Sequence, residues 1–141
     1  MSVLICGSLA FDTISNFPGR FAQQFLPDQL HILNVSFLVP TLRKEFGGCA
    51  GNIAYSLKQL GGYPRIMATL GKDGAVYRNH LEEQDMILTD VVMVEDDYTA
   101  QAIIITDQDN NQITAFHPGA MGMAHSQPVP KRDDLQLAII A

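Results

Sequence analysis

Five positions carry groups that suit a small polar ligand: Ser8, Asp12, Gly47, Gly48 and Asn52. Ser8 and Asp12 follow the apolar run "SVLIC", while the other three lie in "FGGCAGNIAYSLKQLGG", Phe46 to Gly62. A ligand rich in hydroxyls needs donors and acceptors together, and a carboxylate, a carboxamide and backbone N–H groups supply both. The first turn of a helix adds N–H groups that have no partner within the helix. A glycine pair at that place has two readings, a tight turn or a ligand that must come close to the backbone. Asp12 and Asn52 also have local readings, as a turn residue and as a helix-start residue. Taken by residue type alone, the five describe a small polar ligand site and no particular reaction.

Other chemistries find no support. The phosphate loop GxxxxGK[ST] is absent, because Gly71-Lys72 is followed by Asp73, and no GxGxxG follows a strand. No cluster has the spacing of a zinc site, and no Cys/His or Ser/His pair is local enough for nucleophilic catalysis. Neither a catalytic residue nor a metal ligand is therefore assigned. Nine basic residues against fifteen acidic ones leave a net charge of −6 with no basic stripe, which argues against a nucleic-acid partner. Cys6 and Cys49 are too few for a disulfide framework and read as reduced core thiols. The opening "MSVLICGSLAFD" lacks the basic start of a signal peptide, and no apolar run reaches membrane-spanning length. A cytoplasmic protein without a membrane partner is expected.

The elements that must hold these residues alternate between strand and helix. With 141 residues and 47 % apolar content, one domain with a real core is expected. "SVLIC" (2–6) is a continuous apolar run, the pattern of a strand buried on both faces, and "RIMATLG" (65–71) reads as a second buried strand. Between them a helix is predicted over about 49–60, with Ile53, Leu57 and Leu60 on one stripe and Ala50 and Ala54 beside it. A second helix over about 75–83 places Val76, His80 and Leu81 at compatible spacing. The stretch 17–46, with three prolines, predicts a helical turn followed by irregular strands outside the main sheet. "ILTDVVMV" (87–94) is extended, and "TAQAIIIT" and "QITAFH" flank "DQDNN" as a hairpin. After a proline-containing loop over 118–134 the chain enters "LQLAIIA", a buried-strand pattern that calls for further neighbours. The chain is accordingly expected to be the front portion of a larger α/β protein.

"GGCAGNIAYSLKQLGGYPRIMATLGKDG" resembles the first signature of the ribokinase/PfkB family of carbohydrate and nucleoside kinases. That signature has a double glycine, a helix-borne asparagine, a helix ending in Leu-Gly, a strand, and Gly-x-Asp-x-x-Gly. Here Gly74 follows Asp73 directly, a small departure. "ICGSLAFDTI" is similar to the family's opening, and "FPGRFAQQFLPDQLHILNVSFLV" and "NQITAFHPGAM" look like its bacterial adenosine kinase branch. The resemblance implies a partial ribokinase-like three-layer α/β/α sandwich over 1–141, with a small β-sheet lid formed from about 17–46 and 91–117. It implies a substrate site in which Asp12, Gly48 and Asn52 meet sugar hydroxyls with Gly47 beside them, Ser8 and Ser36 line the pocket, and Phe116 packs near a base. Ala102 stands where some relatives carry an aromatic for the purine.

The implied activity is phosphoryl transfer from Mg-ATP to the primary hydroxyl of a nucleoside, adenosine first, with a free-sugar kinase or a non-catalytic binding module as alternatives. The implied partners are that small-molecule acceptor and a second copy of the chain, paired through lid strands. The family's Gly-Ala-Gly-Asp motif, which supplies the base and the anion hole, does not occur in these 141 residues. The resemblance therefore assigns them the acceptor half of a site whose ATP half lies elsewhere.

Overall fold

The computed structural model describes residues 2–141, and they form two four-stranded sheets. The first sheet is wholly parallel, in the order β5-β4-β1-β8, from β1 (Ser2–Cys6), β4 (Pro64–Gly71), β5 (Ile87–Val94) and β8 (Leu135–Ile140). Helix α1 (Cys49–Gln59) covers β1 and β4 on one face, and α2 (Ala75–Glu82) lies beside it against β5. The apolar runs explain β1 and β4, since a parallel strand between covering layers has no solvent face to mark with polar residues. All eight residues of β4 are buried.

The helices pack through smaller residues than the predicted stripes. Ala50, Gly51 and Ala54 are the buried residues of α1, with Ile53 and Leu57 at the margin and Leu60 exposed beyond the helix end. A methyl-lined face lets the helix axis lie close to the sheet, and the larger side chains then fall to its flank. In α2 the buried pair is Tyr77 and Leu81, spaced i,i+4, whereas Val76 is exposed. The cysteines also differ from expectation. Cys6 is half-buried and Cys49 is exposed, because the first residue of α1 faces the cleft at the strand ends and not the core.

The second sheet runs β3-β2-β6-β7, from β2 (Ala10–Asn16), β3 (Leu42–Gly47), β6 (Ala100–Thr106) and β7 (Gln112–His117). Its bounds shift from the predicted lid. Ala10–Asn16 forms its second strand in place of a turn, and Val91–Val94 belongs to β5 of the parallel sheet. Residues 17–41 contribute no strand; they hold 3₁₀ turns at Phe21–Gln23 and Pro27–Gln29 and an otherwise irregular path. Their prolines deny the ladder its donors, and stacking of Phe17, Phe21, Phe25 and Phe37 gathers the segment into a satellite cluster. No helix among the described residues is long and apolar enough to cross a membrane.

The two sheets join through residues 95–99, which the turn after β4 holds in place. Asp73 accepts from the Thr99 N–H at 2.7 Å, and the Thr99 hydroxyl accepts from the Gly71 N–H at 3.0 Å. The Lys72 N–H donates to the Asp97 carbonyl at 2.9 Å, and its ammonium lies 4.0 Å from the centroid of the Tyr98 ring. The "GKDG" turn thus sets where the second sheet leaves the first.

Candidate functional site

The site begins where β1 ends. Ser8 caps α1 from outside the helix: its Oγ accepts from the Cys49 N–H at 3.0 Å and its carbonyl accepts from the Ala50 N–H at 3.0 Å. Two donors at the helix start are therefore already satisfied by the chain itself. The same approach settles the conformation of Gly48. Its φ is +91°, and a Cβ there would lie 2.5 Å from the Ser8 carbonyl oxygen and 2.8 Å from the Ala10 nitrogen. The glycine is required by the chain's own packing, since what approaches it is the backbone of Ser8 to Ala10.

Gly47 serves a different neighbour. It ends β3 opposite Ala10, on the sheet face that carries Asp12, and a side chain there would run into the Asp12 carboxylate. Asp12 lies within β2 and not in a turn after β1. It pairs with Glu45 on β3 and Ala102 on β6, and Ala102 pairs in turn with Phe116 on β7. Glu45, Asp12, Ala102 and Phe116 consequently form one rung across four strands, with all four side chains on the same face. At the usual inter-strand spacing Asp12 and Phe116 stand ~10 Å apart, with only the methyl group of Ala102 between them. A trough results, with a carboxylate at one end and a 54 % exposed phenyl ring at the other. Burial raises the Asp12 pKa above its ordinary value.

The remaining predicted residues spread further. Asn52 is exposed in the first turns of α1, its N–H donating to the Gly48 carbonyl at 3.0 Å, and it borders a groove of about 310 Å³ shared with Phe46, Tyr77 and Gln84. Ser8 lines a separate cleft of about 510 Å³ at the carboxyl ends of the parallel strands, together with Cys6, Cys49, Met67 and Met121. Crevices at that end of a parallel sheet are where α/β proteins hold ligands. Ser36 is exposed in the irregular segment and belongs to neither sheet. The structure thus brings Asp12, Gly47 and Gly48 together, with the Ser8 backbone against the turn, and aligns Phe116 and Ala102 with Asp12. It places Asn52 in a groove that Glu45 also lines and leaves Ser36 in the irregular segment.

Tyr77 was missed from the sequence. Its hydroxyl donates to the Gly47 carbonyl at 2.7 Å from inside the core. The available signal was Gly51, a glycine inside a helix with no turn to explain it. Among the described residues no three His, Cys, Asp or Glu side chains converge to hold a metal ion.

Proteins similar to this chain include nucleoside kinases. Residues 14–139 match the model of the pfkB family carbohydrate kinases. Over 89 residues the chain is 37 % identical to a nucleoside kinase of Methanocaldococcus jannaschii, covering 62 % of this chain and 30 % of that protein. Over 120 residues it is 31 % identical to a nucleoside kinase of Methanothermobacter thermautotrophicus, covering 84 % of this chain and 36 % of that one. The chain thus spans about a third of these relatives' length. Among solved structures, the Burkholderia thailandensis nucleoside kinase in complex with inosine superposes with a TM-score of 0.81 at 50 % identity, covering 97 % of this chain and 43 % of that one. The Methanocaldococcus jannaschii nucleoside kinase structure, described as an archaeal member of the ribokinase family, gives 0.80 at 29 % identity, covering 99 % of this chain and 44 % of that one. The fold is ribokinase-like.

Proposed function

Because the chain belongs to the pfkB family of carbohydrate kinases, we propose that it holds the acceptor of a nucleoside kinase, with adenosine or inosine bound beneath its second sheet. The observation that carries this reading is the rung Asp12–Ala102–Phe116. A nucleoside has hydroxyls at one end and a flat aromatic base at the other, and the trough offers a carboxylate and a phenyl ring in that order. Asp12 accepts from the ribose hydroxyls, a charged hydrogen bond of about 1.5–3 kcal/mol. Phe116 stacks on the base for about 1–3 kcal/mol, and Ala102 leaves room for the ligand to lie between them. The Gly47-Gly48 turn sets the height of the trough beside Asp12, and Ser8, Ser36 and Asn52 are the further acceptor-lining residues that the family resemblance implies.

Phosphoryl transfer needs a group to take the hydroxyl proton and donors to meet the developing charge. The residues described here do not fit ATP or Mg²⁺. They contain no Gly-Ala-Gly-Asp segment and no convergent set of three possible metal ligands. No step of transfer is assigned to them, and Asp12 is an acceptor-holding group. Ala102, where a second aromatic would strengthen purine binding, favours the competing reading of a free-sugar kinase. The opposite face of the second sheet carries the exposed Leu42, Ile103 and Ile113, which suits pairing between two copies. Calorimetry with adenosine, inosine, ribose and fructose tests the acceptor reading. Nucleosides are expected to bind more tightly than either free sugar, and a preference for fructose would move the chain to the sugar-kinase reading.

A further inference from the structure

Three elements meet at one hydroxyl group. Tyr77 projects from α2 into the core and donates to the carbonyl of Gly47, the last residue of β3. Its ring is wedged between Phe11, at 5.7 Å between centroids, and Phe46, at 4.7 Å, and Phe46 stacks in turn on His80 at 4.2 Å. The third element is α1, which passes the hydroxyl at Gly51. A Cβ at Gly51 would collide with Tyr77 Oη and stand 3.3 Å from both Tyr77 Cζ and Leu9 Cδ2. Glycine inside a helix costs about 1 kcal/mol relative to alanine, and nothing else in α1 calls for one at this position. The space it opens is filled by the tyrosine hydroxyl.

The group that Tyr77 holds is a pivotal one. A Cβ at Gly47 would run into the Asp12 carboxylate, and one at the next residue, Gly48, into the Ser8 and Ala10 backbone, so both glycines leave those groups room to lie close. We propose that Tyr77 is a positioning residue for the acceptor site: by tying the Gly47 carbonyl to α2, it fixes the Gly47-Gly48 turn against Asp12 and so holds that carboxylate facing the trough. The inference rests on the acceptor reading above. Burial, with the Asp12 charge adding to it, raises the Tyr77 pKa well above its ordinary value, so the hydroxyl remains a donor throughout the working range.

Two substitutions in the 141-residue chain test this. Tyr77→Phe removes the hydroxyl and keeps the ring among its aromatic neighbours. Gly51→Ala improves the helix and displaces the hydroxyl. Two readouts are taken: affinity for adenosine and inosine by calorimetry, and NMR hydrogen exchange at the Cys49 and Ala50 amides, which bond Ser8 across the turn. Each variant is expected to weaken nucleoside binding about three- to tenfold, the effect of one neutral hydrogen bond, and to speed exchange at both amides. The double variant should match Tyr77→Phe alone, because a phenyl ring has no hydroxyl to displace.

Unchanged exchange in both single variants overturns the proposal. So does faster exchange with unchanged affinity, since the turn would then be held without consequence for the ligand. Additive losses in the double variant would show that Gly51 and Tyr77 act separately, which also overturns it. If the unaltered chain binds no nucleoside or sugar, the acceptor reading fails on its own, and exchange at Cys49 and Ala50 still decides whether Tyr77 holds the turn.

Discussion

The parallel sheet and the second sheet differ in how their strands meet water. Every residue of β4 is buried, and every residue of β7 is exposed. The inner strands of the first sheet, β1 and β4, draw their stability from burial, with Leu4, Ile5, Ile66 and Leu70 fully inaccessible. The buried-strand pattern of "LQLAIIA", by contrast, forms an edge strand, β8, that is largely exposed. The second sheet has one layer over most of its area and rests on the body through Phe11, Phe46 and the Thr99 junction. A strand with two covered faces has no side chain to spare for a ligand. A strand with an open face can present every second residue to one, and the rung through Asp12 lies on such a face. The contrast separates the residues that keep the chain folded from those available for binding.

The largest expected effect lies in the parallel sheet. Leu70→Ala removes a fully buried side chain and should cost about 2–5 kcal/mol of folding stability. Ile113→Ala in the second sheet should cost less than about 1 kcal/mol, because its side chain is already 39 % exposed. Urea unfolding of both variants checks the pair, and equal losses would erase the distinction drawn between the sheets.

Asp12 gives the next effect, and here stability and binding should move apart. Asp12→Asn should weaken nucleoside binding by about 1.5–3 kcal/mol, roughly tenfold to 150-fold. Burial raises the Asp12 pKa, so the folded chain holds that proton more tightly than the unfolded chain. The stability linked to this group is present at low pH and is lost as pH rises through the folded pKa. At neutral pH the asparagine variant should therefore be at least as stable as the original while binding worse. Calorimetry and urea unfolding on one preparation test both halves, and a less stable variant with intact binding would reverse the assignment.

Phe116→Ala should remove about 1–3 kcal/mol of nucleoside affinity and leave free ribose unaffected. Competition binding with the two ligands distinguishes loss of base stacking from general damage to the sheet, which would weaken both.

The smallest effect concerns the strap formed by residues 17–25. Asp107 accepts from the Phe21 N–H at 2.9 Å, from the Asp109 and Asn111 N–H groups, and from the Asn111 side chain. Partial burial pulls its pKa upward, but these donors outweigh that and hold it below the usual carboxylate range. A lowered pKa means stability that is present above the unfolded value, about 3.9, and lost as pH falls through the folded one. The strap should stay in place at neutral pH and loosen only in acid, with Asp107→Asn loosening it at every pH. Amide exchange at Phe21 across a pH series reads this directly.

The burial contrast also explains what could be read from residue order. "SVLIC" and "RIMATLG" announce themselves because burial leaves them mostly apolar, and the polar Ser2, Arg65 and Thr69 within them are buried with hydrogen-bond partners. "AFDTISN" gives no such signal. Its Asp12 and Ser15 look like turn residues, and only pairing with β3 and β6 makes the segment a strand. Of the candidate site, the residue types at Asp12, Gly47 and Gly48, which the structure brings together, were legible. The alignment of Asp12 with Ala102 and Phe116 was not, because register across β6 and β7 is fixed by pairing partners far away in the chain. The Tyr77 contact was hidden for the same reason, since it joins residues thirty positions apart through a vacancy at Gly51.

The central claim is that the acceptor lies along the Glu45–Asp12–Ala102–Phe116 rung. NMR titration of the labelled 141-residue chain with inosine tests it most directly. The account predicts saturable shifts at Asp12, Ala102 and Phe116 and at the Gly47-Gly48 turn, with Leu70 and the rest of β4 unmoved. Shifts confined to the cleft at Cys6, Met67 and Met121, with the rung silent at saturation, would contradict it.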